Sequence, residues 1–286
     1  VDLSQVSPDY RKSLPVLQSE WQDCQSCELG VYRVAVGGAF VFGEGYTGGI
    51  MFIGPGPEKD DEIGGRPYVS RSGNILRHAI KKLGIDRYYI TNVVSCRSCA
   101  QSYDNEGQPR YRRDWKTGVQ QPVIVDQWPT PLQVAACIPR LYEEIYLVDP
   151  VLIVALGVTA DALTKRKVSI QAESGTLTSI NVPGAGKRPT LTEKKQIWAR
   201  KVRGALIMPH VQNEVVYPMM PLLDPAFVSR KQRDERWKNP VQVFAEGMKK
   251  AAGIYDRYMF EVHGDRPSTA RELNEDDIHE AMNDDG

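Results

Sequence analysis

No charge of one sign dominates this 286-residue chain: 36 basic residues stand against 36 acidic ones, for a formal net charge of zero. The balance excludes the globally basic surface of many nucleic-acid binders and leaves only local patches for holding phosphate. Apolar runs are short. None approaches the roughly 20 residues that a membrane-spanning helix requires, and Val1 to Glu20 is too polar for a secretion signal. The expectation is a cytoplasmic protein with no membrane partner. There is no internal repeat. Cysteine is scarce, at five, and five thiols in an intracellular chain of this size argue against a disulfide framework.

What is there reads as an ordinary globular composition, 41% hydrophobic and 25% charged. The length suits one large domain with insertions. Charge is unevenly spread, with basic clusters from Lys187 to Arg203 and from Arg230 to Lys238, and an acidic stretch from Glu272 through Asp285. The cysteines are grouped as well. Cys24 and Cys27 form one C-x-x-C, Cys96 and Cys99 a second, and Cys137 stands apart. Thiolate pairs separated by long segments are what a metal needs, because folding gathers soft ligands from distant loops. Spacing alone favours zinc on Cys24, Cys27, Cys96 and Cys99, two pairs with tetrahedral capacity.

Hydrophobic patterning predicts the frame. Leu14 to Asp23 is helical, and Val34 to Phe42 is a short strand or loop. Gly49 to Gly54, Tyr88 to Val94 and Val151 to Gly157 are nearly continuous apolar runs, hence buried strands, with Val215 to Met219 a fourth. Helices are expected over Ser72 to Leu83, Ala135 to Leu147, from Thr159 to Thr164, and over Val241 to Tyr258. Alternating strands and helices call for a three-layer α/β/α sandwich around a central, mostly parallel four-stranded sheet. Ligands in such folds sit at the carboxyl ends of the strands, which here carry Gly54-Pro55-Gly56, Asn92, Gly157 and Asp224. The expected organisation is a lead-in over 1–20, a domain over 21–260 with insertions at about 98–131 and 169–212, and an acidic tail over 261–286.

The ordered motifs at these strand ends are I-G-P-G-P-E-K-D-D-E-I-G-G-R-P-Y, T-N-V-V-S-C-R, A-A-C-I-P-R-L, D-P-V-L-I-V-A-L-G and L-L-D-P-A-F-V. With the leading C-x-x-C they resemble the iron–sulfur, family 4 type of uracil-DNA glycosylase from about Cys24 to Tyr258, both insertions excluded. The resemblance implies a 4Fe–4S cluster on Cys24, Cys27, Cys96 and Cys137 rather than zinc. It implies that Asn92 reads the uracil edge, where an amide matches N3–H and O4 side by side. It implies that Tyr68 stacks on the flipped base, and that Gly54 and Gly56 admit substrate close to the backbone. Arg230, Lys231 and Arg233 would contact DNA.

At two catalytic positions the chain departs from the family. Pro55 stands where an acidic residue follows the first glycine, and Asp224 stands at the histidine of the H-P-S motif. Asp61 retains a second family carboxylate and is the expected water-positioning group, with Glu58, Asp60 and His210 as substitutes. An ionised Asp224 cannot donate to a base gathering negative charge; a protonated one can. Two functions stay open: excision of uracil or a modified pyrimidine from DNA, hypermodified thymine included, and a catalytically inactive DNA-binding scaffold. The insertions and the acidic tail are candidate surfaces for a protein partner.

Overall fold

The computed structural model describes residues 13–183, 214–232, 239–264 and 272–283. In chain order the strands are β1 (Glu44–Gly45), β2 (Ile50–Gly54), β3 (Tyr88–Asn92), β4 (Cys99–Gln101), β5 (Tyr111–Arg113), β6 (Gln120–Pro122), β7 (Ile124–Asp126), β8 (Leu152–Leu156), β9 (Thr178–Pro183) and β10 (Glu214–Leu222). The helices are α1 (Leu14–Trp21), α2 (Glu28–Val36), α3 (Lys59–Gly64), α4 (Arg71–Lys82), α5 (Pro131–Val148), α6 (Thr159–Thr164), α7 (Ile170–Glu173), α8 (Pro225–Lys231), α9 (Pro240–His263) and α10 (Glu275–Asn283).

The main sheet runs β1-β3-β2-β8-β10-β9. Its four central strands are parallel, as the apolar runs predict, and β1 and β9 extend it as antiparallel edges. Period-two alternation sends Ile50, Phe52, Leu152, Val154 and Leu222 into a core beneath α4, α9 and α10. Met51, Ile53, Ile153, Ala155 and Met219 enter a second core under α5. Two cores separated by one sheet make three layers.

Three segments add structure that the hydrophobic pattern leaves unassigned or reads differently. The helix α2 occupies part of the stretch read as strand or loop. Cys27 precedes it as N-cap, and Gly37 closes it in the left-handed conformation at φ 69°. Insertion 98–131 folds into two small antiparallel ribbons, β4 with β7 and β5 with β6. Within the acidic stretch, Asn274 and Asp277 cap α10 reciprocally at 2.9 Å each, and Leu273, Ile278, Ala281 and Met282 are buried in the α4 core. The Arg71 guanidinium donates to the Met282 carbonyl, and Lys82 pairs with Asp277 at 2.8 Å. Among the described residues no helix is long and apolar enough to cross a membrane. The Lys187–Arg203 cluster, His210 and Arg233 lie outside the described residues.

Candidate active site

The segments that follow β2 and β10 meet the base of the insertion around a cavity of about 180 Å³, whose lining includes neither Gly54 nor Asn92. Pro55, Gly56, Glu58, Asp61, Tyr68 and Asp224 line its inner side. Asn92 ends β3 beside Gly54 of β2, its parallel partner. A Cβ at Gly54 would collide with the Tyr68 hydroxyl and lie 2.6 Å from Asn92 Oδ1. Glycine is therefore required by close packing of this chain's own side chains at that point. Asn92 is 1% exposed, and neither Oδ1 nor Nδ2 has a hydrogen-bond partner. A buried amide without partners carries a desolvation cost of about 1–3 kcal/mol, which a ligand offering a donor and an acceptor would relieve.

Tyr68 is held in the left-handed region at φ 55°, an uncommon conformation for an aromatic residue. Arg77 maintains the bend by donating to the Tyr68 carbonyl at 2.8 Å and to that of Pro67 at 2.7 Å. The Tyr68 hydroxyl donates to Asp224 Oδ2 at 3.4 Å. Burial raises the Tyr68 pKa well above its ordinary value, and the nearby Asp224 charge adds to the shift.

Asp224 caps α8, accepting from the Ala226 amide at 2.8 Å, with proline at the first helical turn. Burial pushes its carboxyl up to about 6, the Ala226 amide and Arg230 pulling down while Glu58 pushes up. Close to neutral pH it therefore exists in both protonation states. Gly157, at φ 60°, brings the end of β8 up against the Asp224 side chain.

Asp61 is 3% exposed and occupied by backbone. Its Oδ1 accepts from the Val69 amide at 2.8 Å and its Oδ2 from the Glu58 amide at 3.1 Å. Burial raises its pKa, against those hydrogen bonds. Glu58 completes the capping box of α3 and accepts from the Ser72 hydroxyl at 3.1 Å. Asp60 is exposed on α3. Gly56 faces Val94 and Pro129 of this chain.

The outer side of the cavity belongs to the insertion, through Asp126, Gln127 and Trp128, and to α8, through Ala226 and Arg230. Asp126 is paired with Arg97 at 2.5 Å. Lys231, also on α8, is half-buried. That the insertion closes the cavity could not be read from sequence, because nothing in its pattern says where its base returns.

Behind Asn92 lies the thiol region. Burial pushes the Cys96 thiol up to about 11; Arg33 opposes the shift, and Cys137 and Cys27 add to it. Cys137 on α5 is likewise raised by burial, and Cys27 and Cys24 are among its neighbours. Cys96 thus has Cys137 and Cys27 among its neighbours, and Cys137 has Cys27 and Cys24. Cys99, on β4, has Arg97, Glu62 and Asp126 as charged neighbours, none a thiol. Thiolates are the donor type that iron–sulfur clusters use; among the described residues no three of these sulfurs lie within 4.8 Å of one another.

Two arginines in this region carry no sequence expectation. Arg33, buried on α2, donates to the carbonyls of Gln22 at 2.6 Å and Cys24 at 3.3 Å, fixing the first cysteine loop. Arg140, fully buried one turn beyond Cys137, donates to the carbonyls of Asn92 and Val93 at 2.7 and 2.8 Å. It also pairs with Glu144, which accepts from Tyr89 and Thr91. The available signal was the arginine inside A-A-C-I-P-R-L, a cation on an otherwise apolar helix face.

The family model described as the uracil DNA glycosylase superfamily matches residues 41–246. The Type-4 uracil-DNA glycosylase of Thermotoga maritima is 32% identical over 167 residues, covering 57% of this chain and 72% of that protein. The protein of the same name from Sulfurisphaera tokodaii is 33% identical over 149 residues, 51% of this chain and 54% of its own length. That of Saccharolobus solfataricus is 30% identical over 166 residues, 57% and 63% respectively. The chain thus spans from about half to under three quarters of these relatives.

Proposed function

Because the chain belongs to the uracil DNA glycosylase superfamily, with type 4 relatives, we propose that it binds DNA and hydrolyses the N-glycosidic bond of a flipped-out uracil or modified pyrimidine. The observation that carries this reading is the Asn92 amide, buried at the end of β3 with both polar atoms unpartnered. Uracil presents N3–H and O4 to it; cytosine presents the opposite pattern and leaves the amide unsatisfied. A base must leave the stack to reach such a site.

In the reaction the bond from C1′ to N1 breaks, its electron pair departs with the base, and water adds to C1′ of the oxocarbenium-like sugar. Asp224 in its protonated form donates to the base oxygen that gathers charge, taking the part of the family's histidine. Water is positioned by the acidic loop. Asp61, the expected residue, holds the loop's backbone, and Glu58 on that loop offers its carboxylate to the cavity. Tyr68 stacks on the base, and Arg230 and Lys231 meet phosphate. Cys24, Cys27, Cys96 and Cys137 would hold a 4Fe–4S cluster, which supplies a structural tie between α2, β3 and α5.

A second reading, DNA binding without cleavage, is favoured by the Tyr68 hydroxyl crowding Gly54 and donating to Asp224. One experiment separates the two. Protein carrying iron and sulfide rather than zinc is incubated with uracil-containing DNA, single- and double-stranded, and free base is measured. Excision is expected, with a fall of about 100-fold for Asn92→Ala. Binding without release, together with new excision in a Pro55→Glu, Asp224→His double variant, establishes the scaffold instead.

A further inference from the structure

Insertion 98–131 does more than close the cavity. Past β4 and β7 its tip ribbon, β5 with β6, is exposed at all six positions, so it contributes no core, and three-residue strands are marginal as a fold. It presents Arg110, Tyr111, Arg112, Arg113, Trp115 and Lys116 in close succession. Trp115 is 83% exposed, with the Lys116 ammonium 5.1 Å from its ring centroid. Between this ribbon and helices α2 and α3 runs a groove of about 520 Å³, whose walls include Tyr32, Lys59, Arg97, Arg112, Arg113 and Trp115. Its acidic members are already engaged. Glu62 lies 3.7 Å from Arg97, and Asp114 accepts from the amides of Lys116 and Thr117 at 2.9 and 2.8 Å. The groove and the cavity flank the same elements: α3 gives Lys59 to one and Asp61 to the other, and the β7 region gives Ile124 to one and Asp126 to the other.

We propose that this groove is a binding track for single-stranded DNA continuing from the nucleotide held in the cavity, with Arg112 and Arg113 on phosphates and Trp115 stacked on an unpaired base. Exposed cations give phosphate attraction to either form of DNA, whereas an exposed indole beside them is useful only where base faces are open, which duplex denies. The inference rests on the glycosylase reading for the strand's direction into the cavity; its chemistry rests on the ribbon alone.

The test uses the full chain and a uracil-free, mixed-sequence oligonucleotide, single-stranded or annealed, followed by fluorescence anisotropy across salt concentrations. Trp115→Ala should weaken single-strand binding about tenfold or more and duplex binding much less, and Trp115→Phe should recover most of the loss. Arg112→Gln with Arg113→Gln should lower the single-strand slope of log K against log salt by about 1.4, or about 0.7 for each phosphate contact. Unchanged single-strand affinity and slope overturn the proposal, as do equal losses on both forms. Uracil release, measured in parallel, keeps the two readings apart. Release with no effect at Trp115 sinks the track alone. Single-strand binding that depends on Trp115, with no release by the native chain, sinks the glycosylase reading and leaves the track.

Discussion

The wall of the cavity built from strand ends and the wall built from the insertion differ in how firmly their side chains are held. Tyr68 and Asp224 in that wall, and Asn92 beyond it at the end of β3, are buried, and each is placed by the two cores. Gln127 and Trp128 are exposed, on a connection anchored by Arg97 to Asp126 and by the Ser98 hydroxyl to Gln133 at 3.3 Å. On the proposed reading the rigid wall would discriminate one nucleobase from another, where displacements of about an ångström are costly. The looser wall carries an exposed indole, Trp128. Identity and grip are divided between old frame and added ribbon.

The strongest way to break that contrast is to attack what holds the rigid wall. Replacing Arg140 with Ala leaves Glu144 buried without its cation and releases the Asn92 and Val93 carbonyls, so a loss of about 3–5 kcal/mol is expected by denaturant unfolding. A loss below about 1 kcal/mol would mean that the wall is held otherwise.

A subtler test addresses Asp224. Its pKa is raised from 3.8 to about 6 by burial, so the native state favours its proton. The stability it contributes is fully present below the unfolded value and is lost as pH rises through about 6. If the protonated acid donates to the base, excision falls about tenfold per pH unit above 6. Asp224→Asn, whose amide donates at every pH, should flatten that limb. An identical pH profile in the variant would remove Asp224 from the chemistry.

The smallest effect should come from the loose wall. Trp128→Ala is expected to raise KM about fivefold with little change in kcat, because uniform binding is what it removes. A larger fall in kcat than in affinity would show that the insertion shares in the transition state.

Much of this frame is legible in sequence because β2, β3 and β8 are largely buried on both faces and read as nearly continuous apolar runs. The edges are not: β1 is Glu44–Gly45 alone, and no composition distinguishes two such residues from a turn. α2 hides because β-branched Val31, Val34 and Val36 mask helical spacing, while the cap at Cys27 and Gly37 decides the matter. α10 hides because its charges outnumber its apolar stripe, although Asn274 with Asp277 is a capping pair that the sequence does display. Within the site, Asn92 and Asp224 are legible by position at strand ends. The Tyr68–Asp224 contact, across 156 residues, is a product of tertiary closure that local pattern does not encode. The commitment of Asp61 to backbone amides follows from the tight turn between α3 and Tyr68, which only coordinates reveal.

The docking of α10 on α4 has a consequence for synthesis. α4 starts three residues after Tyr68, and its Arg71 is tied to the carbonyl of Met282, made some two hundred residues later. While the chain emerges from the ribosome, the face of α4 that Leu273, Ile278, Ala281 and Met282 cover stays open until α10 has been translated. A nascent chain therefore bears an open apolar face on α4 until α10 has been made.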